Sequence, residues 1–258
     1  MNIEVETRGH ILCIGVRRPE KMNALSREMF HQIGAALHRL DHDPQLRVAV
    51  LWAEGNHFTS GVDLIDWKEA FASGSPYPPR PNERDLFGLV GPRVQKPLVM
   101  AVQGRCYTWG WECLLNTDVR VAARDTRFAM LEVSRGFYAC GGATLRLPSE
   151  IGWAHAQRYL LTGDELNAEE AYRLGMVNEL VEPGQQKVRA LELAERIAAA
   201  APLGVQASLE SSRNCYLNGE AAELAAMYPR LAKVMQSEDV KEGVQSFVER
   251  RKARFVGR

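Results

Sequence analysis

The chain has 258 residues, 46% hydrophobic and 25% charged, with 32 basic against 32 acidic side chains and a formal net charge of zero. That length suits one core of roughly 200 residues with a smaller appendage, and the charge balance removes the global field that nucleic acid or an anionic membrane would respond to. Five scattered cysteines without Cys-x-x-Cys spacing argue against a disulfide scaffold and a zinc site. They fit a reducing compartment, and with no basic, then apolar, leader and no run long enough to span a membrane the expected location is the cytoplasm.

In chain order, the apolar run from His10 to Val16 reads as a strand, and Arg17-Arg-Pro-Glu-Lys-Met-Asn breaks it. Ser26 can N-cap a helix that carries Met29, Ile33, Ala36, Leu37 and Leu40 at helical spacing. Arg47 to Trp52 is a second strand, ended by the turn at Glu54-Gly-Asn56. Between Ser73 and Pro92 five prolines (Pro76, Pro78, Pro79, Pro81 and Pro92) rule out regular structure and predict a loop or mobile lid. The unbroken apolar run Lys96 to Val102 predicts a buried strand that delivers the chain to Gly104. A helix is expected near Thr108, and a further strand from Val119 to Ala123. Asn167 and Glu170 have the spacing of a capping box on a short helix that Gly175 closes. From about Val188 the pattern is helical, divided at Pro202, Gly219 and Pro229.

Two segments are suited to hold an oxygen that gains negative charge: Phe58-Thr-Ser-Gly-Val62-Asp63-Leu64 and Gly104-Arg-Cys-Tyr-Thr-Trp109-Gly-Trp-Glu112. A tight glycine turn, and the first turn of a helix, each leave backbone N–H groups without internal partners. Val62, after the tight turn, could supply one such N–H, and the first turn of the helix starting near Thr108 another. Glu112 follows in the same helix, and Glu132 in Phe128-Ala-Met-Leu-Glu132, so two carboxyls can divide general-base and general-acid work. Taken singly, each glutamate is more often a solvated charge; their company changes that reading.

Other residues have blander readings. His31, His38 and His42 fit solvated positions on an amphipathic helix better than a metal face. Cys106 and Cys113 read as small buried hydrophobes, and Cys140-Gly-Gly-Ala as a turn at a helix start near the site. Tyr107 lines either the site or the core.

On these motifs the chain resembles the crotonase superfamily, which includes the enoyl-CoA hydratases and isomerases, over nearly its full length. Arg18-Pro-Glu-Lys-Met-Asn23-Ala24-Leu25 looks like that family's early coenzyme A segment, and residues 58–64, 102–118 and 128–147 like its two oxyanion elements and its second-glutamate segment. Thr162-Gly-Asp164, residues 168–181 and the ending Phe247 to Phe255 extend the likeness. The resemblance implies an α/β fold, a spiral of ββα units over 1–190 with a helical region over 191–258 for oligomerisation, and trimers often paired into hexamers. It implies an enoyl-CoA hydratase in which Glu112 activates water, Glu132 protonates the α-carbon, roles they can share or exchange, and the N–H groups of Val62 and Trp109 hold the thioester oxygen. Lys21, Ala24, Ser60, Val62, Asp63, Trp109 and Phe255 would meet the acyl-CoA substrate. No metal and no cofactor beyond the substrate's own coenzyme A are implied. Alternatives are Δ3-Δ2-enoyl-CoA isomerisation, thioester hydrolysis, or a non-catalytic acyl-CoA-binding scaffold. The chain departs from the family where Thr108-Trp109-Gly110-Trp111 replaces a run of small glycines. Trp111 is expected to pack beneath the pocket, and the place of the Trp109 ring is left open.

Overall fold

The computed structural model describes residues 2–74 and 80–258, so Pro76, Pro78 and Pro79 lie outside the described residues. The chain opens with a hairpin of β1 (Ile3–Arg8) and β2 (Ile11–Val16). Only Ile3 of β1 is fully buried, which is why the sequence shows β2 and hides its edge partner. Helix α1 (Arg27–His42) follows, with the Ser26 hydroxyl accepting the Met29 N–H at 3.3 Å as its cap. Then come β3 (Val48–Ala53) and the short α2 (Lys68–Ala72).

The large sheet has the order β1-β2-β3-β4-β6-β9, parallel from β2 onward, with β4 (Leu98–Val102), β6 (Val119–Ala123) and β9 (Glu179–Val181). Its central strands β2, β3 and β4 carry no charged residue because both faces are covered. Alternate side chains divide between two cores: Leu12, Ile14, Ala49, Leu51, Met100 and Val102 face α1, and Ile11, Cys13, Val48, Val50, Val99, Ala101 and Val121 face α7 (Gln186–Ala199) through Ala190, Ala194 and Ala198.

A small second sheet stands beyond the carboxyl ends of these strands. It consists of β5 (Arg105–Tyr107), β7 (Arg127–Ala129) and β8 (Leu166–Asn167). After the opening hairpin, two successive turns of chain each lay one strand in the large sheet and one in the small sheet, then add a helix. Thus β4 and β5 lead to α3 (Trp109–Leu114), and β6 and β7 lead through a 3-10 turn at Leu131–Arg135 to α4 (Ala143–Ile151). This is the α/β spiral of ββα units that the resemblance implies. α5 (Trp153–Thr162) and α6 (Ala168–Arg173) complete the layer, and Asn167 caps α6 by accepting the Glu170 N–H at 2.9 Å.

The C-terminal helices are α8 (Pro202–Asn218), α9 (Glu220–Met235) and α10 (Glu238–Val248). Two expectations need correction. Pro229 lies inside α9 and does not divide it; the break after α9 is made by Ser237, whose hydroxyl caps α10. A boundary at residues 190 and 191 would cut α7, whose alanines seal the sheet, so the helical layer that leaves the core starts at α8.

The described part of the proline-rich stretch is irregular, as expected, but it is no free lid. Arg84 pairs with Asp41 at 2.8 Å, the Arg84 N–H reaches the Gly34 carbonyl at 3.0 Å, and the Gln95 N–H reaches Asp41 at 2.8 Å. His31 is buried against Glu83 at 2.8 Å, so it is neither solvated nor available as a ligand. These bonds tie residues 83–95 to α1.

Candidate active site

Both oxyanion-like segments start at carboxyl ends of neighbouring parallel strands, β3 and β4, and run side by side. The Phe58 N–H donates to the Gln103 carbonyl at 2.8 Å and the Thr59 N–H to the Arg105 carbonyl at 2.8 Å; the Tyr107 N–H returns to Thr59 at 3.2 Å. Gly104 makes the corner between β4 and β5 at a φ of +52°, where a Cβ would overlap the Asn56 carbonyl.

On its other side the first segment pairs with Leu25, whose N–H donates to Gly61 O at 3.0 Å and whose carbonyl accepts from the Asp63 N–H at 2.9 Å. Strand alternation therefore turns the N–H of Val62, between them, away from Leu25. Thr108 precedes Trp109 with a φ of +50° and ψ of −116°, a region that a β-branched residue rarely enters. Among the described residues, no acceptor meets the backbone N–H of Val62 or of Trp109. Gly61, at a φ of +122°, lies so close to Thr108 that a Cβ on it would stand 2.8 Å from the Thr108 hydroxyl. The two N–H groups thus belong to adjoining segments.

Glu112 and Glu132 are both buried, each about 4% exposed, although nothing in their local sequence marks them as such. Glu112 Oε1 accepts the Ala143 N–H at 3.3 Å, and a Cβ at Gly141 would stand 2.4 Å from Glu112 Oε2, so any larger residue there would displace that carboxyl. Burial, and next the charge of Glu132, push the Glu112 carboxyl up to about 8, opposed by the N–H groups of Ala143 and Gly141 and by Arg146. Burial likewise pushes Glu132 up to about 7. Glu132 Oε2 is buried with no hydrogen-bond partner. The turn at Cys140-Gly-Gly-Ala does open α4 beside these carboxyls, as its sequence suggested.

Aromatic rings border this place. Phe87 lies against Gly141, and Phe30 is 6.0 Å from both Phe87 and Trp67; Trp67 is 6.0 Å from Phe71, and Phe71 is 5.5 Å from Phe137. Phe71 and Phe137 are the exposed members.

The indoles, by contrast, turn into the core. Trp111 donates to the Met176 sulfur at 2.9 Å and packs on Phe128. Trp109 packs on Phe58 at 5.6 Å, and its Nε1–H reaches Thr59 Oγ1 at 2.8 Å and Gly61 O at 3.0 Å. Cys106 and Cys113 are buried, and burial raises both thiols well above their ordinary range. Tyr107 is a core residue whose hydroxyl bonds to Glu165.

The remaining expected substrate contacts divide. Lys21 is exposed, and Ala24 and Ser60 are half-buried beside the first segment, where the Ser60 N–H reaches the Met22 carbonyl at 2.9 Å. The carboxylate of Asp63 is engaged by Arg18 at 2.9 Å, which fastens the 18–25 segment to the 58–64 segment. Phe255 is not brought to this place within one chain. Its carbonyl accepts from Arg47 at 2.7 Å, at the amino ends of the parallel strands, a strand length of about 17 Å from the carboxyl ends. Sequence reasoning passed over Thr59 and Gly141. The signal for each is a residue type out of keeping with its place: a hydroxyl in a segment destined for burial, and a second glycine before a helix start.

Comparison with known proteins follows this geometry. Residues 6–258 match the family model described as enoyl-CoA hydratase/isomerase. The chain is 38% identical to the enoyl-CoA hydratase EchA19 of Mycobacterium tuberculosis, over 98% of this chain and 96% of that protein. It is 34% identical to the mevalonyl-coenzyme A hydratase sidH of Aspergillus fumigatus, over 95% and 91%. The crystal structure of enoyl-CoA hydratase EchA1 from Mycobacterium marinum superposes with a TM-score of 0.90 at 38% identity, covering 100% of this chain and 99% of that one. The chain belongs to the enoyl-CoA hydratase/isomerase family, within the crotonase superfamily.

Proposed function

We propose that the protein is an enoyl-CoA hydratase that adds water across the double bond of a trans-2-enoyl-CoA. The observation that carries this reading is the pair of buried carboxyls, Glu112 and Glu132, both pushed up towards neutrality beside two free backbone N–H groups. A scaffold has no physical use for two such costly groups, and simple double-bond migration has use for one. The names of relatives in several organisms support the same reading.

The chemistry then runs as follows. The thioester oxygen accepts the N–H groups of Val62 and Trp109, and a water sits between the two carboxyls. Glu112 takes a proton from the water as its oxygen bonds to C3, and the π electrons move to the thioester oxygen as an enolate. The two N–H groups hold that charge. The enolate collapses as C2 takes a proton from Glu132, whose Oε2 is free of other partners. Burial raises both carboxyls towards neutrality, Glu112 above Glu132, so the resting proton favours Glu112 and the step above runs from the microstate with that proton on Glu132; the titration belongs to the pair rather than to either member. The substrate supplies its own coenzyme A, and no further cofactor enters. We assign Lys21, Ala24 and Ser60 to the surface that receives coenzyme A, and a homotrimer or hexamer as the assembly.

Hydration of but-2-enoyl-CoA and oct-2-enoyl-CoA, followed by loss of the enoyl-thioester absorbance, tests this. Wild type should turn over at least one of them, and Glu112→Gln and Glu132→Gln should each lose roughly 10²–10⁴ in kcat. Turnover of only the 3-enoyl isomers, with one of the two variants still active, would make the enzyme an isomerase instead.

A further inference from the structure

We propose that the Trp109 indole is a positioning group that aims both oxyanion N–H donors, strapping together the two segments that carry them; this rests on the hydratase reading above. Trp109 supplies one donor from its backbone while its side chain reaches back to the segment that supplies the other. The indole N–H meets Gly61 O at 3.0 Å and Thr59 Oγ1 at 2.8 Å. Gly61 O and the Val62 N–H belong to one planar trans peptide unit, in which carbonyl and N–H point in opposite directions. Whatever holds Gly61 O therefore directs the Val62 N–H the other way. The Leu25 N–H holds it from one side at 3.0 Å, and the indole is the second donor.

Thr59 ties the same knot. Its hydroxyl, fully buried, accepts the Gly61 N–H at 3.1 Å and the indole N–H, and donates to the Asn23 carbonyl at 2.8 Å. The peptide on the Trp109 side needs restraint as well, because Thr108 sits at a φ of +50° without the freedom of glycine. With the ring anchored on Thr59 and packed on Phe58, the following N–H cannot relax away. A glycine at 109 would leave both peptide units to backbone contacts alone.

The test measures carbonyl polarisation and turnover separately. Carbonyl-labelled butanoyl-CoA, which cannot be hydrated, is bound and its thioester C=O stretch is read by isotope-edited infrared. In wild type the stretch moves to lower frequency. Trp109→Phe keeps a ring and removes the N–H, and Thr59→Val removes the hydroxyl. Each should at least halve the frequency shift and lower kcat roughly 10–100-fold, while KM changes less than about threefold. Thr59→Ser, which restores the hydroxyl, should recover the wild-type shift. A full shift and unchanged kcat in folded Trp109→Phe would overturn the proposal. If that variant does not fold, Thr59→Val decides in the same way against Thr59→Ser. Wild type that polarises butanoyl-CoA but hydrates no enoyl-CoA would defeat the hydratase reading and leave the strap standing.

Discussion

At the scale of single residues, the features that suit Glu112 to the proton transfer proposed above also make it a burden on the fold. Its carboxyl titrates near 4.5 when unfolded and is pushed up to about 8 when folded. The stability it retains as a neutral acid is therefore fully present below about pH 4.5 and is lost as pH rises through 8. Glu112→Gln removes that loss. The variant should be more stable than wild type above about pH 8, by on the order of 2–4 kcal/mol, with the difference fading towards pH 4.5. Urea midpoints at both ends of that range check it, and equal midpoints at high pH would contradict it. The two glutamates were legible in the sequence through the motifs around them. The burial of Glu112 was not, since Gly141, Ala143 and Phe87 come to it from other parts of the chain. Thr59 was illegible for the same reason, because its partners Asn23 and Trp109 lie 36 and 50 positions away.

At the scale of elements, what could be read were the strands with unbroken apolar runs, β2, β3 and β4, the mainly apolar β6 around Arg120, and the helices with their own start signals, α1 at Ser26 and α6 at Asn167. The two- and three-residue strands β5, β7 and β8 escaped, because such segments have no period and exist only by pairing with each other. The corner that makes β5 possible depends on one glycine. Gly104→Ala should cost more than about 3 kcal/mol or prevent soluble expression, since its Cβ meets the backbone oxygen of Asn56. Gly9 offers the control: its φ of +57° is similar but nothing lies within 4 Å. Gly9→Ala should therefore cost only the ~1–2 kcal/mol of a left-handed residue. Denaturant titration of both variants separates collision from conformational strain; equal losses would show that the corner is not crowded.

At the scale of the whole molecule, the C-terminal helices lack cover. α8 and α9 pack mainly on each other, and Leu224, Tyr228 and Leu231 on α9 and Phe247 on α10 are exposed. Leu224, Tyr228 and Leu231 recur at helical spacing along α9, the kind of apolar face that the assembly proposed above would cover. Light scattering should give a mass that is a multiple of the 28.9 kDa chain, three or six by the assembly proposed above. Tyr228→Glu with Leu231→Glu should reduce it, and a monodisperse 28.9 kDa species in wild type would refute the assembly.

The course of the chain between β3 and β4 has an evolutionary meaning. These strands run parallel, with Leu51 opposite Met100, so the long excursion between them leaves at the carboxyl end of β3 and returns at the amino end of β4, passing along the length of a rigid frame. The bonds that join residues 58–61 to 103–109 lie where it departs, beside the carboxyl end of β4, whereas Phe71 and Phe87, the latter beside Gly141 and Glu112, ride on the excursion itself. On the function proposed above, selection for a new acyl group can therefore rewrite that stretch while the two N–H groups keep their register: substrate choice and the holding of charge on oxygen would be inherited as separable parts of one chain.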